Sequence, residues 1–226
     1  MYFMLMEKPN RLRKKLHFCS IMNNIKNIIF DFGTVLLNID YMLTAKAFEE
    51  LGLKDFHAQF AYKNQHQVFD DLEMGLISPS EFYNHLRKQT GLNLADEQLK
   101  QAWNAILMDF PQSRIDCLLG LKKKYRLFLL SNTNAIHVEA FTTSLNTIHN
   151  CDFLNTMFEK CYYSNEINLR KPSKEIYEYV MADKKLVLSE TVFVDDLKEN
   201  VDTAIEVGLQ GIWLPKGEEI NSLKFD

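Results

Sequence analysis

Five short apolar runs punctuate the chain: Asn27 to Asp31, Tyr125 to Leu130, Lys160 to Tyr163, Thr191 to Val194 and Gly211 to Leu214, the third and fifth weaker than the rest. They are continuous rather than alternating. A strand with one wet face alternates apolar and polar residues, whereas an unbroken run suits a strand covered on both faces, as in a parallel sheet. Between the later runs, Ser113 to Lys124, Ala135 to Leu145, Ser173 to Met181 and Glu199 to Val207 carry apolar residues at helical spacing, and Gly208 follows as a left-handed terminator. Alternating strands and helices predict a doubly wound α/β sheet, in which ligands bind beyond the carboxyl ends of the strands.

From about Tyr41 to Phe110 the alternation stops, and the pattern predicts helices without a strand. Ser78-Pro79-Ser80-Glu81 reads as a helix start, with an N-cap Ser, Pro in the first turn and Glu three residues after the cap; Gly91 ends that helix. Ala45, Phe48 and Leu51-Gly52 outline an earlier helix, and Leu99, Trp103 and Ile106 mark one side of another over Asp96 to Leu107. The expected organisation is a core of residues 22–40 and 111–226 with a helical insert at 41–110.

Residues 1–21 do not fit this scheme. Apolar Met1 to Met6 precedes basic Arg11-Leu12-Arg13-Lys14-Lys15, the reverse of a secretory signal, so Met22 is the preferred natural start and 1–21 a doubtful extension.

Composition narrows the function. Hydrophobic residues are 46% and charged residues 25%, as in an ordinary globular protein, and a formal net charge of -4 provides no field to hold nucleic acid or an anionic membrane. A small-molecule partner is expected instead. No apolar run is long enough to span a bilayer. Cys19, Cys117, Cys151 and Cys161 lack metal-type spacing and read as reduced thiols, mostly in the core, consistent with a cytoplasmic location. His57, His66, His85, His137 and His149 share no ligand spacing with a carboxylate and are assigned to surface or core; the aromatic residues of the insert, including Phe56, Phe60, Tyr62, Phe69 and Trp103, are assigned mostly to its core.

Four polar islands stand where apolar runs end or loops begin: Asp31-Phe32-Gly33-Thr34, Ser131-Asn132, Lys171-Pro172, and Asp195-Asp196 with Asn200. Singly they are ordinary, since an Asp at a strand end also serves as a helix cap and Lys before Pro is a common loop pair. Their order is not ordinary. An Asp, then a Ser, then a Lys, then a double Asp resembles the four motifs of the haloacid dehalogenase-like hydrolases, over nearly all of the chain from Asn24 to Leu214. Leu169-Arg170-Lys171-Pro172 with Ile176-Tyr177, and the helical block, resemble the members with a four-helix cap.

The resemblance implies a Rossmann-like core with an inserted cap and a Mg2+-dependent phosphatase acting on a small phosphorylated metabolite, with a sugar phosphate as one candidate. Asp31 would be the nucleophile and would form an aspartyl phosphate. Asp31, Asp196 and the carbonyl of Gly33 would hold the ion, with Asp195 acting through a water. Lys171 would neutralise the phosphoryl oxygens and restrain Asp31; Ser131 and Asn132 would donate to the phosphate, and Asn200 would orient Asp195.

One position departs from the pattern. Most phosphatases of this kind carry an acid/base Asp two residues after the nucleophile, where this chain has Gly33. A general acid is worth about 10²–10⁴-fold, so its loss favours leaving groups that depart unprotonated, such as anomeric or acyl phosphates. It also keeps two rivals in view, a metal-free 2-haloacid dehalogenase and a non-catalytic binding relative, although Asp195-Asp196 would repel a carboxylate substrate.

Overall fold

A computed structural model of the chain describes residues 24–53 and 67–223. The proposed start at Met22, the extension, Cys19, Phe56, His57, Phe60, Tyr62 and His66 lie outside the described residues.

Five strands form one parallel sheet: β1 (Asn27–Phe30), β2 (Arg126–Ser131), β3 (Lys160–Tyr163), β4 (Thr191–Asp195) and β5 (Gln210–Trp213), in the spatial order β3-β2-β1-β4-β5. The apolar runs predicted all five to within a residue at each end. Burial on both faces explains why they do not alternate. Ile28, Phe30, Leu127, Leu129, Val192 and Val194 enter one apolar cluster, while Ile29, Phe128, Leu130 and Phe193 enter a second on the opposite face.

Between β1 and β2 lie α1 (Tyr41–Glu50), α2 (Gln67–Glu73), α3 (Pro79–Thr90) and α4 (Asp96–Asn104), followed by α5 (Gln112–Leu121) of the core. After β2 come α6 (Ala135–His149) and α7 (Phe153–Met157). Next are α8 (Ser164–Ile167) and α9 (Lys174–Asp183) after β3, and α10 (Lys198–Val207) after β4. The short helices α7 and α8 were not anticipated, because four or five residues carry too little periodicity to register.

The start of α3 behaves as its sequence predicts. Ser78 accepts from the Glu81 amide, the Glu81 carboxylate accepts from the Ser78 amide at 2.7 Å, and Gly91 ends the helix at φ 68°. Helices α1–α4 share a separate apolar cluster with Phe48, Phe69, Phe82, Leu86 and Leu99, to which the core contributes Ile136. Among the described residues the insert adds no strand to the sheet. Its two connections instead run side by side: Asn38 N–H donates to Asp109 O, Met108 N–H to Asn38 O and Asp40 N–H to Ile106 O, around an isolated antiparallel bridge between Ile39 and Leu107.

The cysteine expectation needs correction. Cys151 is exposed, and Cys117 and Cys161 are only partly buried, because they flank the core rather than fill it.

A second contact joins insert and core at the turn after α2. Asn168 Nδ2 donates to Met74 O at 2.6 Å, and Gly75, at φ +66°, lies so close to α8 that a Cβ would sit 2.1 Å from the Asn165 carbonyl oxygen. Only glycine meets both demands at this position. Gly75→Ala is expected to lower stability by about 1–3 kcal/mol through backbone strain and displacement of the turn. A thermal melt unchanged from wild type would show that the turn is not held against α8.

Candidate active site

The strand order reverses between β1 and β4, since the chain builds outward from β1 to β3 and then returns to the other side. A crevice opens at such a switch point beyond the carboxyl ends of the strands. There the apolar runs give way to polar residues: Asp31 follows β1, Ser131 ends β2, and Asp195 ends β4. Asp31 N–H donates to Val194 O at 2.9 Å, which carries the β1–β4 ladder one residue further and fixes the Asp31 backbone.

Lys171 is 2% exposed and comes from the loop before α9. Its Nζ lies 2.5 Å from Asp31 Oδ1 and 2.8 Å from Asp195 Oδ2. Asn132 holds the backbone of the same residue in a reciprocal pair: Lys171 N–H donates to Asn132 Oδ1 and Asn132 Nδ2 donates to Lys171 O, both at 2.9 Å. The Lys171–Pro172 peptide is cis. Asp195 is fixed on both oxygens, with Leu197 N–H donating to Oδ1 at 2.8 Å and Asn200 Nδ2 to Oδ2 at 3.0 Å.

Asp196 completes the group. One oxygen from each of Asp31, Asp195 and Asp196 falls within 4.8 Å of the others. Three carboxylates face one ammonium, so the fully ionised cluster carries a net charge of -2 in a largely buried setting. The titration behaviour follows. Burial, opposed by Lys171 and reinforced by Asp195, pushes Asp31 from an ordinary 3.8 up to about 7. Asp196 is pushed up to about 6 by burial and by Asp195, against Lys171 and a hydrogen bond from Thr34. Lys171 is raised, since the attraction of Asp195 and Asp31 outweighs its own desolvation. An oxygen-only donor set with excess negative charge suits a hard divalent cation.

In the loop after Asp31 the positive φ falls on Thr34, at 65°, and not on Gly33, in a tight turn closed by Val35 N–H donating to Gly33 O at 2.7 Å. A Cβ at position 33 would meet only the end of the Ile39 side chain, at 3.0 Å.

All eight residues singled out from sequence converge here: Asp31, Gly33, Ser131, Asn132, Lys171, Asp195, Asp196 and Asn200 line one cavity of about 460 Å³. Others were missed. His137, assigned to surface or core, forms part of the wall and stacks on Trp103 with ring centroids 5.2 Å apart. Burial lowers its pKa to about 4, so the ring is neutral, with Nε2 3.1 Å from Trp103 O and Nδ1 3.0 Å from Asn134 Nδ2. Phe69 and Trp103 of the insert also face the cavity, as do Glu73 and Arg170. Arg170 was visible only as the neighbour of Lys171, and Glu73 gave no signal.

Residues 28–214 match the family of haloacid dehalogenase-like hydrolases. The chain is 36% identical over 186 residues to a D-ribitol-5-phosphate phosphatase of Bacteroides thetaiotaomicron, covering 82% of this chain and 90% of the relative. Among solved structures, a family enzyme of the same organism, in complex with magnesium and inorganic phosphate, is 34% identical with a TM-score of 0.78, over 86% of this chain and 96% of that one. A family hydrolase of Porphyromonas gingivalis is 31% identical with a TM-score of 0.79, over 87% and 94% of the two chains. With its motifs gathered at one switch point and its sequence matched over most of its length, the chain belongs to the haloacid dehalogenase-like hydrolases.

Proposed function

We propose that the protein is a Mg2+-dependent phosphatase of a small phosphorylated metabolite, with residues 41–110 forming a cap over a core of 22–40 and 111–226. The observation that carries this reading is the cluster of Asp31, Asp195 and Asp196 around Lys171. Its surplus of buried negative charge makes little sense in a metal-free dehalogenase, whose carboxylate substrate it would repel, and a non-catalytic relative has no need of it. The phosphatase relative and the magnesium and phosphate bound to a similar enzyme support the same reading.

Asp31, Asp196 and the carbonyl of Gly33 would hold Mg2+, with Asp195 contributing through a water because both of its oxygens already accept protein donors. Bound Mg2+ supplies positive charge that relieves the repulsion between a carboxylate and a phosphate dianion. An Asp31 oxygen attacks phosphorus in line as the ester P–O bond breaks, giving an aspartyl phosphate and an alcohol once the departing oxygen takes a proton from water. Water then attacks that phosphorus, the bond to Asp31 breaks, and inorganic phosphate leaves. Lys171 holds Asp31 and balances the phosphoryl charge, while Ser131 and the backbone at Asn132 donate to its oxygens. The relative's substrate points to a pentitol or sugar phosphate as the class.

Phosphate release is expected to vanish with EDTA and return with Mg2+. Asp31→Asn should cut kcat/KM by at least about a thousandfold with the fold intact, since an amide is a poor nucleophile. Ready turnover by the pure variant would exclude Asp31 as nucleophile. Asp196→Ala should weaken Mg2+ dependence more than Asp195→Ala, as seen in Mg2+ titrations of activity.

The raised Asp31 pKa sets a sign for stability. Between its unfolded value near 3.8 and its folded value of about 7, the metal-free native state holds a proton that the unfolded chain has lost. Stability therefore falls as pH rises through that window. In EDTA, Asp31→Asn should raise the melting temperature by a few degrees at pH 8 and by much less at pH 5; an equal difference at both would refute the shift.

Gly33 makes a separate prediction. With no acid at that position, kcat/KM across aryl phosphates should rise steeply as leaving-group pKa falls, and Gly33→Asp should flatten the slope. A flat wild-type series, with chemistry shown to limit the rate, would mean that another group supplies the proton.

A further inference from the structure

Asp195 and Asp196 are neighbours in sequence but are held in different ways. Asp195 ends β4, and its carboxylate accepts from Lys171, Asn200 and the Leu197 amide. Asp196 follows the strand and precedes α10, so neither element fixes it. A protein oxygen that ligates Mg2+ must still present itself within a narrow range of distance and direction, because the ion demands near-octahedral geometry. A carboxylate on a bend between two elements meets that demand when surrounding residues orient it.

Two residues do so, one from the side of each strand that flanks β4. Trp213 ends β5, in register with Asp195, and its indole Nε1 donates to the Asp196 carbonyl at 2.9 Å. Leu214 N–H donates to Asp195 O at 2.9 Å, which carries the β4–β5 ladder up to the bend. From the β1 side, the Thr34 hydroxyl donates to the Asp196 carboxylate, and Thr34 lines the cavity. Asp196 is thus held by its main chain and by its side chain.

Thr34 also carries the positive φ of its loop, 65°. A β-branched residue is a poor occupant of the left-handed region, which glycine adopts without steric cost. The Thr34 amide donates to Leu37 O at 2.8 Å, a bond that glycine would make equally well. What glycine would not supply is the hydroxyl. A backbone outlier beside the reacting groups points to a use for its side chain.

Resting on the reading in which Asp196 holds Mg2+, we propose that Thr34 and Trp213 are positioning residues that clamp Asp196 for the ion. Thr34 fixes the carboxylate and Trp213 fixes the carbonyl. Both act on the ion through Asp196 and neither acts on the phosphoryl group. Trp213 is 46% exposed on an edge strand, so it contributes its N–H more than core packing.

The test is Mg2+ binding without substrate, followed by calorimetry at pH 8, with thermal melts of the same proteins in EDTA. Thr34→Val keeps the branched shape without the hydroxyl, Thr34→Ser keeps the hydroxyl, and Thr34→Gly removes both hydroxyl and strain. Thr34→Val and Thr34→Gly should each weaken binding by about tenfold, the low end for a hydrogen bond to a charged group, and Thr34→Ser by less than about threefold. Trp213→Phe should weaken it by about threefold, as for a neutral bond that water partly replaces. Thr34→Gly should melt above Thr34→Val, since glycine alone escapes the steric penalty, yet bind Mg2+ no better. A merely structural role would instead make affinity follow melting temperature across the series. That result, or unchanged binding in Thr34→Val or in Trp213→Phe, would overturn the proposal. Asp196→Ala separates the clamp from the reading beneath it. Mg2+ binding lost in Asp196→Ala but unchanged in the Thr34 variants would sink the clamp and leave the phosphatase. Clamp-dependent Mg2+ binding by a wild type that hydrolyses no phosphate ester would sink the phosphatase and leave the clamp.

Discussion

The site depends on one buried ammonium. Lys171 lies between Asp31 and Asp195, which follow and end two neighbouring strands, and its charge lets two carboxylates approach inside a desolvated crevice. Removing the ammonium from such an arrangement typically costs about 3–5 kcal/mol, because the carboxylates it neutralises stay buried. The fold therefore holds Lys171 from several directions. Asn132 grips its backbone on both sides, and Asn200 and the Leu197 amide fix the carboxylate it meets. These contacts come from three separate strand-to-helix connections, so the ammonium also ties together the carboxyl edge of the sheet.

One ammonium does not neutralise three carboxylates, and the imbalance defines the chemistry. Asp31 and Asp196 both hold their protons more tightly than free carboxylates do. A cation entering the cluster displaces those protons, so ion binding and ionisation of Asp31 and Asp196 are linked. The same surplus charge that burdens the metal-free protein prepares it for an ion and a phosphoryl group. Stability at this site is given up for function in the manner expected of strained and charged active sites.

Two of the junctions between the helical insert and the core serve different ends. The insert's connections run as a short antiparallel ladder near Ile39 and Leu107, while the turn after α2 packs on α8 through Gly75, Met74 and Asn168. The second contact leads directly through Leu169 and Arg170 to Lys171. Cavity-lining residues of the insert are thus tied to the same loop that carries the buried ammonium. The neutral His137, wedged between Asn134 and Trp103, provides a further fixed point between α6 and α4.

The sequence alone determined the sheet and the chemical nucleus. Continuous apolar runs of four to six residues, alternating with helical segments, suit strands buried on both faces of a covered parallel sheet, and the residue where each run stops then lies at a strand end. That brings Asp31, Ser131 and Asp195 to one edge of the sheet on sequence grounds alone. Local signals of this kind, with the capping box at Ser78 and the terminator at Gly91, need no knowledge of what lies elsewhere in the chain. Tertiary structure decided what depends on distant partners. Arg170 meets Asp70 across one hundred residues, His137 is neutral because its burial outweighs the opposing hydrogen bond to Trp103 O, and Cys117 and Cys161 flank a core they were expected to fill. Even the strained position in the Asp31 loop fell on Thr34 rather than Gly33, because the turn is set by hydrogen bonds between backbones and not by which residue would bend most easily. Periodicity and motif report the local environment of a residue; its charge state and its partners are properties of the space that folding creates around it.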